Sequence, residues 1–287
     1  MLDFLRHIRA CNTAVLPGNR LPFRLGMTQV GWVRAEFADA LGNFTEISKD
    51  ARGVTLHQAS ALPGLARELA RRGLLRHRGE AFDVRAVPGG AVLSTIDRGA
   101  LPAFGIRAEG VHLNGLVRRA DGLHLWVAKR AANKALDPGK YDHIVAGGTP
   151  SGHTAGQTLI KEAAEEAAIP AELARRARLV FTVDYAMERP EGLRRDLLQC
   201  YDLELPEAFI PVAADGEVES FELLPIDRVF TAVRDTDVFK FNVNLVLLDL
   251  FLRERMIAND AAVVLRRELD ALRPGMDSAG FWRDHAD

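Results

Sequence analysis

The 287-residue chain is long enough for two domains, and its 48% hydrophobic content supplies apolar side chains for packed cores. A formal net charge of −2 argues against nucleic-acid or anionic-membrane binding as its main role. Cys11 and Cys200 are too few for a disulfide framework and fit a reducing compartment. We therefore expect a cytoplasmic protein with neither a nucleic-acid nor a membrane partner.

Residues 1–105 combine short strands with helices, which predicts a small α+β domain. Leu2, Leu5 and Ile8 recur at helical spacing, which predicts a short amphipathic helix. Charged residues interrupt this stretch, so it lacks the continuous apolar region of a signal peptide. The segment "MTQVGWVRAEFADAL" predicts a strand followed by a helix, and "LPGLARELARRGLLRHRG" predicts another helix. The strands "AFDVRAV" and "AVLSTI" flank a "PGG" turn. Without a catalytic motif of its own, this domain is expected to shape substrate choice.

Residues 106–287 predict a second α/β domain. The segment "GVHLNGLVRRADGLHLWVAKRA" alternates apolar and polar residues around "ADG", which is typical of a hairpin. Further strands are predicted at "DHIVAGG", "RLVFTVDYA", "RRDLLQCYDLEL" and "VESFELL". Helices are predicted after Pro225, at "VNLVLLDLFLRERM" and at "DAAVVLRRELDALRPG". This order favours a mixed sheet between helices.

Three glutamates are crowded onto one face of a predicted helix that follows the strand "DHIVAGG" and a glycine-containing loop. Thr154 and Gln157 fit a capping box, so the helix should begin at Ala155. Glu162, Glu165 and Glu166 then fall within an arc of roughly 100°. Like charges at this spacing destabilise a helix by about 0.2–0.5 kcal/mol per pair.

A divalent cation would turn this repulsion into coordination, since Mg²⁺ takes carboxylate oxygens and bridges to phosphates. The alternative is an alanine-rich surface helix with an incidental acidic face. The preceding Gly147 and Gly148 favour the cation, because glycines allow close backbone approach where a strand ends.

The segment "GGTPSGHTAGQTLIKEAAEEAAI", residues 147–169, resembles the Nudix box. Gly147 matches its first glycine, and the three glutamates match its core glutamates. Four positions depart from the usual pattern: His153, Lys161, Ala163 and Ala168 stand where a glutamate, an arginine, an aliphatic residue and the second glycine are usual.

With these four departures, the sequence resembles one branch of the Nudix superfamily, which is related to the Nudix domain fused to thiamine pyrophosphokinase in some fungi. The amino-terminal segments that resemble it are "VGWVRAEFADAL" and "FGIRAEGVHLNGLVRR". The later ones are "LWVAKRAANKALDPGKYDHIVAGGTPSG", "RRDLLQCYDLELPEAFIP", "DGEVESFELLPI" and "FKFNVNLVLLDLFLR". The resemblance implies a Nudix α/β/α sandwich and Mg²⁺- or Mn²⁺-dependent hydrolysis of an organic diphosphate, with thiamine diphosphate and its oxidised or damaged analogues as leading substrates.

The resemblance also implies site residues. Glu162, Glu165 and Glu166 would hold the cation, with the Gly147 carbonyl as a further ligand. Lys161 replaces the usual arginine and can pair with a glutamate, but it cannot form a bidentate fork. The general base stays open between Glu162 and a glutamate of the later strand, either Glu217 or Glu219.

Substrate-facing residues are expected on the first hairpin. His112 and Asn114 share one face of a strand, as either a polar outer face or a substrate-binding pair. A second set consists of cations on or after the strand "WVAKR", which lead towards the glycine loop, namely Lys129, Arg130, Lys134 and Lys140. Each is either a solvated surface residue or a phosphate ligand.

Two other functions remain open. One is hydrolysis of a nucleoside-diphosphate derivative, and the other is a Nudix-derived binding module without turnover. Retention of all three core glutamates favours an enzyme over the binding module. The oligomeric state stays open between monomer and homodimer.

Overall fold

The computed structural model describes residues 2–134, 136–214 and 216–272. Its amino-terminal unit contains a four-stranded sheet in the order β2-β1-β4-β3. The strands and helices of this sheet are β1 Leu21–Leu25, β2 Thr28–Val33, α2 Ala35–Leu41, β3 Ile47–Asp50, β4 Gly53–Leu56 and α3 Leu62–Arg71. The strand–helix succession predicted from Val30 to Leu41 is confirmed.

A two-stranded hairpin completes this unit. Strand β5, Ala81–Val84, pairs antiparallel with β6, Ser94–Asp97, and the short helix α4, Leu101–Phe104, follows. Buried apolar side chains of the sheet, the helices and the hairpin form one core that includes Phe23, Leu69 and Phe104. The hairpin is therefore packed against its own domain and held in place from that side.

The second sheet is mixed and has the strand order β11-β12-β7-β8-β13. Its strands are β7 Arg107–Arg119, β8 Gly122–Arg130, β11 Arg178–Arg189, β12 Gly192–Glu204 and β13 Val218–Pro225. Strands β7 and β8 form the predicted hairpin, whereas β12 runs parallel to β7. The predicted α/β architecture with a mixed sheet is confirmed.

The single strand predicted at "DHIVAGG" is divided in two. Strand β9, Tyr141–His143, pairs with β8, whereas β10, Val145–Gly148, pairs with β7. Ile144 lies between them and is fully buried. The chain changes partner at this residue, which sends β10 away from β8 and brings its glycines to the start of the loop that follows.

Helices cover both faces of this sheet. On one face lie α5, Ala155–Ala167, and α6, Ala171–Ala174, which pack on Val111, Leu113 and Val145. The other face carries α7 Ile226–Asp235, α8 Val243–Arg253 and α9 Asn259–Asp270. None of the helices in the described ranges combines the length and apolar character that crossing a membrane requires.

The first helix of the chain belongs to this second core. Helix α1, Leu2–Cys11, buries Phe4, Leu5, Ile8 and Cys11 among residues of α8, α9 and β11. The guanidinium of Arg6 adds hydrogen bonds to the carbonyls at the end of α7, at 2.6 Å from that of Arg234. The predicted amphipathic helix is confirmed, and its apolar face packs on the carboxy-terminal core.

Candidate active site

The glutamate-bearing helix α5 begins as the sequence predicts. The Thr154 hydroxyl accepts a hydrogen bond from the Gln157 amide at 3.2 Å, and the Gln157 side chain accepts one from the Thr154 amide at 2.9 Å. The helix ends at Ala168, whose φ of 53° lies in the left-handed region. Glycine adopts this conformation more readily than alanine, so this departure from the Nudix box leaves a strained C-cap.

Glu162 packs directly against the last residues of β10. A Cβ atom added to Gly147 would lie 2.5 Å from Cγ and 2.6 Å from Cδ of Glu162. Cβ atoms essentially never lie this close to another heavy atom, so only glycine leaves the space that the Glu162 side chain occupies. The side chain of Glu162 is thereby fixed beside the strand end, with 18% of its surface exposed.

Glu166 is held on the same strand, one residue earlier. Its Oε2 accepts a hydrogen bond from the Ala146 amide at 2.9 Å, and the residue is 7% exposed. Glu165 differs from both, since its side chain points towards solvent and is 52% exposed. Two of the three glutamates therefore line the end of β10, and the third stands at the rim.

Lys161 compensates part of the negative charge. Its Nζ lies 3.1 Å from Oε1 of Glu162 and 2.6 Å from Oε2 of Glu165. Hydrogen bonding to Glu165 raises the pKa of Lys161 and keeps it charged. Burial raises the pKa of Glu162, and the hydrogen bond from Lys161 opposes this. Lys161 thus does by single contacts what a bidentate arginine would do in the usual box.

This donor set fits a divalent cation. Clustered carboxylates supply the hard oxygen ligands that Mg²⁺ and Mn²⁺ prefer. The glycine at 147 lets Glu162 approach the strand, and the Ala146 amide orients Glu166. The resemblance to the Nudix box implies that the carbonyl of Gly147 is a further ligand of the cation.

His112 lies on the sheet face opposite α5, and it is 3% exposed. Its Nδ1 is 2.7 Å from Nδ1 of His143, and Asp142 lies within the same buried group. Burial lowers the pKa of both histidines, that of His143 to about 4, so both rings are neutral at pH 7.

Two protein cations already neutralise this group. Asp142 Oδ2 lies 2.8 Å from Nη1 of Arg130 and 3.0 Å from Nζ of Lys240. The histidines and Asp142 could hold a metal by their spacing. A dication here would stand beside two positive charges, so the group is better described as a buried polar network.

Asn114 shares the face of His112, as the strand periodicity predicts, and it is fully buried. Its Nδ2 donates to Oδ1 of Asp202 at 2.8 Å, and Arg253 of α8 holds Asp202 at 2.6 Å. The expectation of a polar outer face is therefore wrong for this pair. These side chains connect the sheet to α8.

The cations after "WVAKR" are paired around the segment that joins β8 and β9. Lys129 lies 2.8 Å from Glu219, and Lys140 lies 3.2 Å from Asp137. Lys134 forms an ion pair with Glu217. Because Arg130 is bound to Asp142, each of these four cations has an acidic partner within the protein.

The two alternative bases, Glu217 and Glu219, lie at or next to β13. Strand β13 pairs with β8, and Lys129 of β8 is opposite Tyr141. Glu162 and Glu166 lie together at the end of β10, whereas Glu219 is paired with Lys129 of β8. The role of either β13 glutamate as the base stays a prediction.

Local sequence patterns do not predict a further set of neighbours, which come from the amino-terminal unit. The hairpin β5–β6 lies against the loop after β10, where the Ser151 amide donates to the Ala81 carbonyl at 2.7 Å. The Ser151 hydroxyl also donates to Oδ1 of Asp83 at 2.6 Å. These contacts join positions far apart in the chain, which periodicity and motif spacing do not connect.

Comparison with known families agrees with this geometry. Residues 110–243 match the NUDIX domain family, and residues 3–108 match a family described as a domain of unknown function, DUF4743. A crystal structure of a protein from Deinococcus radiodurans is similar at 20% identity, with a TM-score of 0.42, over 66% of this chain and 98% of that chain.

Two relatives from Arabidopsis thaliana match over most of the chain. Nudix hydrolase 20, chloroplastic, is 35% identical in an alignment of 282 positions that covers 91% of this chain and 75% of the relative. Nudix hydrolase 24, chloroplastic, is 36% identical in an alignment of 270 positions that covers 90% of this chain and 74% of the relative. With the glutamates of the box intact and placed around the end of β10, the chain belongs to the Nudix hydrolase family.

Proposed function

We propose that this Nudix hydrolase uses Mg²⁺ or Mn²⁺ to split an organic diphosphate into the monophosphate and phosphate. Thiamine diphosphate and its oxidised analogues are the first candidates, supported by the sequence resemblance described above. The observation that carries the proposal is the placement of Glu162 and Glu166 against consecutive residues of β10, with Gly147 leaving the space for Glu162.

The cation would be held by Glu162, Glu165 and Glu166, with the Gly147 carbonyl as a further ligand. When bound, it supplies charge neutralisation for the diphosphate and lowers the pKa of the attacking water. The chain's own contribution is orientation. The Ala146 amide fixes Glu166, the strand end fixes Glu162, and Lys161 keeps Glu165 beside them.

We assign the general base to Glu162. Its partial burial makes it a better proton acceptor than an exposed glutamate, and it already lies at the carboxylate cluster. Glu219, the alternative base, is paired with Lys129. The proton from water would pass to a carboxylate oxygen of Glu162 as the bond between the two phosphoryl groups breaks.

A panel of diphosphates tests the activity. Thiamine diphosphate, its oxidised analogues and nucleoside-diphosphate derivatives are incubated with protein and Mg²⁺, and products are identified by mass spectrometry. We expect monophosphate and phosphate from the thiamine compounds, and no product in excess chelator, because the cation is needed to activate the attacking water and to neutralise the charge that develops on the diphosphate.

The other outcomes are equally informative. Turnover of nucleoside compounds alone would move the substrate to that class. Full turnover in excess chelator would refute the metal-dependent mechanism. Binding of a diphosphate without any product would favour the non-catalytic module.

Gly147→Ala is expected to lower kcat/KM by about a hundredfold, because displacing a positioned group by about 1 Å can cost that much. The new methyl group would overlap Cγ and Cδ of Glu162, which lie 2.5 and 2.6 Å from its position. The flexible glutamate can rotate away, so the fold should survive. Circular dichroism and steady-state kinetics measure the two effects.

Gly156→Ala is the matched control. Gly156 lies in α5, and a Cβ added there meets no atom within 4 Å. Alanine should stabilise the helix by about 0.5–1 kcal/mol and leave turnover unchanged. Equal activity of the two variants would show that Glu162 does not need the space at Gly147.

A further inference from the structure

The end of β10 is contacted from the amino-terminal unit as well as from α5. A Cβ atom added to Gly148 would lie 2.6 Å from Cζ of Phe82 and 3.7 Å from Cζ of Arg98. Gly147, the preceding residue, contacts Glu162. Because successive residues of a strand face opposite sides, Arg98 and Glu162 approach this strand end from its two faces.

The hairpin holds Arg98 in a defined position. The carboxylate of Asp97 accepts hydrogen bonds from the backbone amides of Arg78, Gly79 and Gly99, at 2.8–2.9 Å. The Arg98 amide donates to the Glu80 carbonyl at 2.8 Å. Two chain segments, one carrying Arg78 and the other Arg98, are thereby tied together.

The Arg98 guanidinium is oriented but accessible. Its Nη1 lies 2.8 Å from Oε2 of Glu80, and its Cζ lies 5.7 Å from the centre of the Phe82 ring. The side chain remains 45% exposed. A planar guanidinium stacked on an aromatic ring presents N–H groups in a geometry that matches phosphate oxygens.

A second arginine lies beside Arg98. The amides of Arg78 and Gly99 both donate to Oδ1 of Asp97, at 2.9 and 2.8 Å, so the backbone of Arg78 lies next to that of Arg98. Burial lowers the pKa of Arg78, and the charges of Arg98, Arg76 and Arg194 lower it further. Like charges repel one another here, and an anion between them would relieve that repulsion.

The partner of Arg98 is close enough to the box carboxylates to influence them, because the negative charge of Glu80 acts on Glu162. Phosphoryl transfer needs this combination, with a cation held by carboxylates on one side and fixed positive side chains around the remaining phosphate oxygens.

We propose that Arg98 and Arg78 of the amino-terminal unit bind the phosphate oxygens of the substrate. The amino-terminal unit then supplies ligands to the diphosphate in addition to shaping the cleft. This inference rests on the proposed function, since it assigns residues to the same diphosphate site.

The test separates binding from turnover. Inorganic pyrophosphate is titrated into the full-length protein in excess chelator, so that the arginines are measured without metal or hydrolysis. Arg98→Ala and Arg78→Ala should each weaken this binding about tenfold or more, as expected for loss of a charge-assisted hydrogen bond. Arg98→Lys should recover part of it, because lysine keeps the charge and loses the planar fork.

Arg71→Ala is the control, because Arg71 is an exposed arginine of the same unit paired with Glu68 on α3. It should bind pyrophosphate as the wild type does. In the presence of Mg²⁺, Arg98→Ala should raise KM for a hydrolysed diphosphate more than it lowers kcat. Mn²⁺ binding, followed by electron paramagnetic resonance, should be unchanged.

The outcomes separate the two proposals. Unchanged pyrophosphate affinity in both alanine variants, or none in the wild type, would overturn the arginine site even if Glu162→Gln abolished turnover. Arginine-dependent pyrophosphate binding without hydrolysis of any diphosphate would uphold the arginine site and refute the proposed activity. If Arg98→Ala failed to fold, Arg98→Lys and Arg78→Ala would still decide the question.

Discussion

Glu162→Gln and Glu166→Gln are each expected to lower kcat/KM by about three powers of ten, which equals about 4 kcal/mol of activation free energy. Each substitution keeps the size of the side chain and removes a carboxylate from the proposed cation site. Glu162 should show the larger loss, because it is also the assigned base. Steady-state kinetics with Mg²⁺ measures both.

The same variants should keep their metal-free stability. At position 166, the amide oxygen of glutamine can still accept the hydrogen bond from the Ala146 amide. At position 162, part of an ion pair with Lys161 is lost, but repulsion between the glutamates falls as well. The melting temperature in chelator should therefore stay close to that of the wild type.

Glu172→Gln, at an exposed position of α6, controls for the loss of a surface charge. Glu219→Gln decides between the two positions of the base, and its kcat/KM should remain close to the wild-type value. A large loss of kcat/KM in Glu219→Gln, together with a small loss in Glu162→Gln, would identify Glu219 of β13 as the general base. A collapse of the metal-free melting temperature would make the box glutamates structural.

Phe4→Ala is expected to destabilise the protein by about 3–5 kcal/mol, the usual cost of removing a buried aromatic ring. Phe4 is 4% exposed, and its ring centre lies 5.2 Å from that of Phe230 and 6.3 Å from that of Phe251. For a chain of this size the melting temperature should fall by about 10 °C. Differential scanning calorimetry measures this.

Met27→Ala is the control in the amino-terminal unit, because Met27 is 96% exposed. It should leave the melting temperature almost unchanged. Equal effects of the two substitutions would mean that α1 does not stabilise the carboxy-terminal core. A fragment of residues 106–287 lacks α1, and it should expose the surfaces of Phe230 and Phe251 that Phe4 covers.

Local patterns predicted much of the fold and the centre of the site. Thr154 and Gln157 fixed the start of α5, because a capping box involves only neighbouring residues. The spacing of the glutamates placed them on one helix, since the helical repeat determines which side chains share a face. Their different burial could not be predicted, because it depends on where β10 passes.

Local patterns could not predict contacts between positions that are far apart in the sequence. The strand pattern leaves Asn114 open between a polar outer face and a substrate-binding pair, and it could not show that Asn114 is buried against Asp202 of β12. Helical periodicity predicted α1 but could not show which core it would cover. The division of "DHIVAGG" at Ile144 also depends on a choice between two neighbouring strands, and both halves have similar strand propensity.

The position of α1 has a consequence for synthesis of the protein on the ribosome. This helix leaves the ribosome long before α8 and α9, which cover its apolar face and lie far downstream in the sequence. At roughly 5–20 residues per second, the nascent segment waits for tens of seconds without those partners. A helix of 10 residues is marginal in water by itself. The Nudix core is therefore completed only when α8 and α9 have left the ribosome, after the intervening amino-terminal unit has had time to fold.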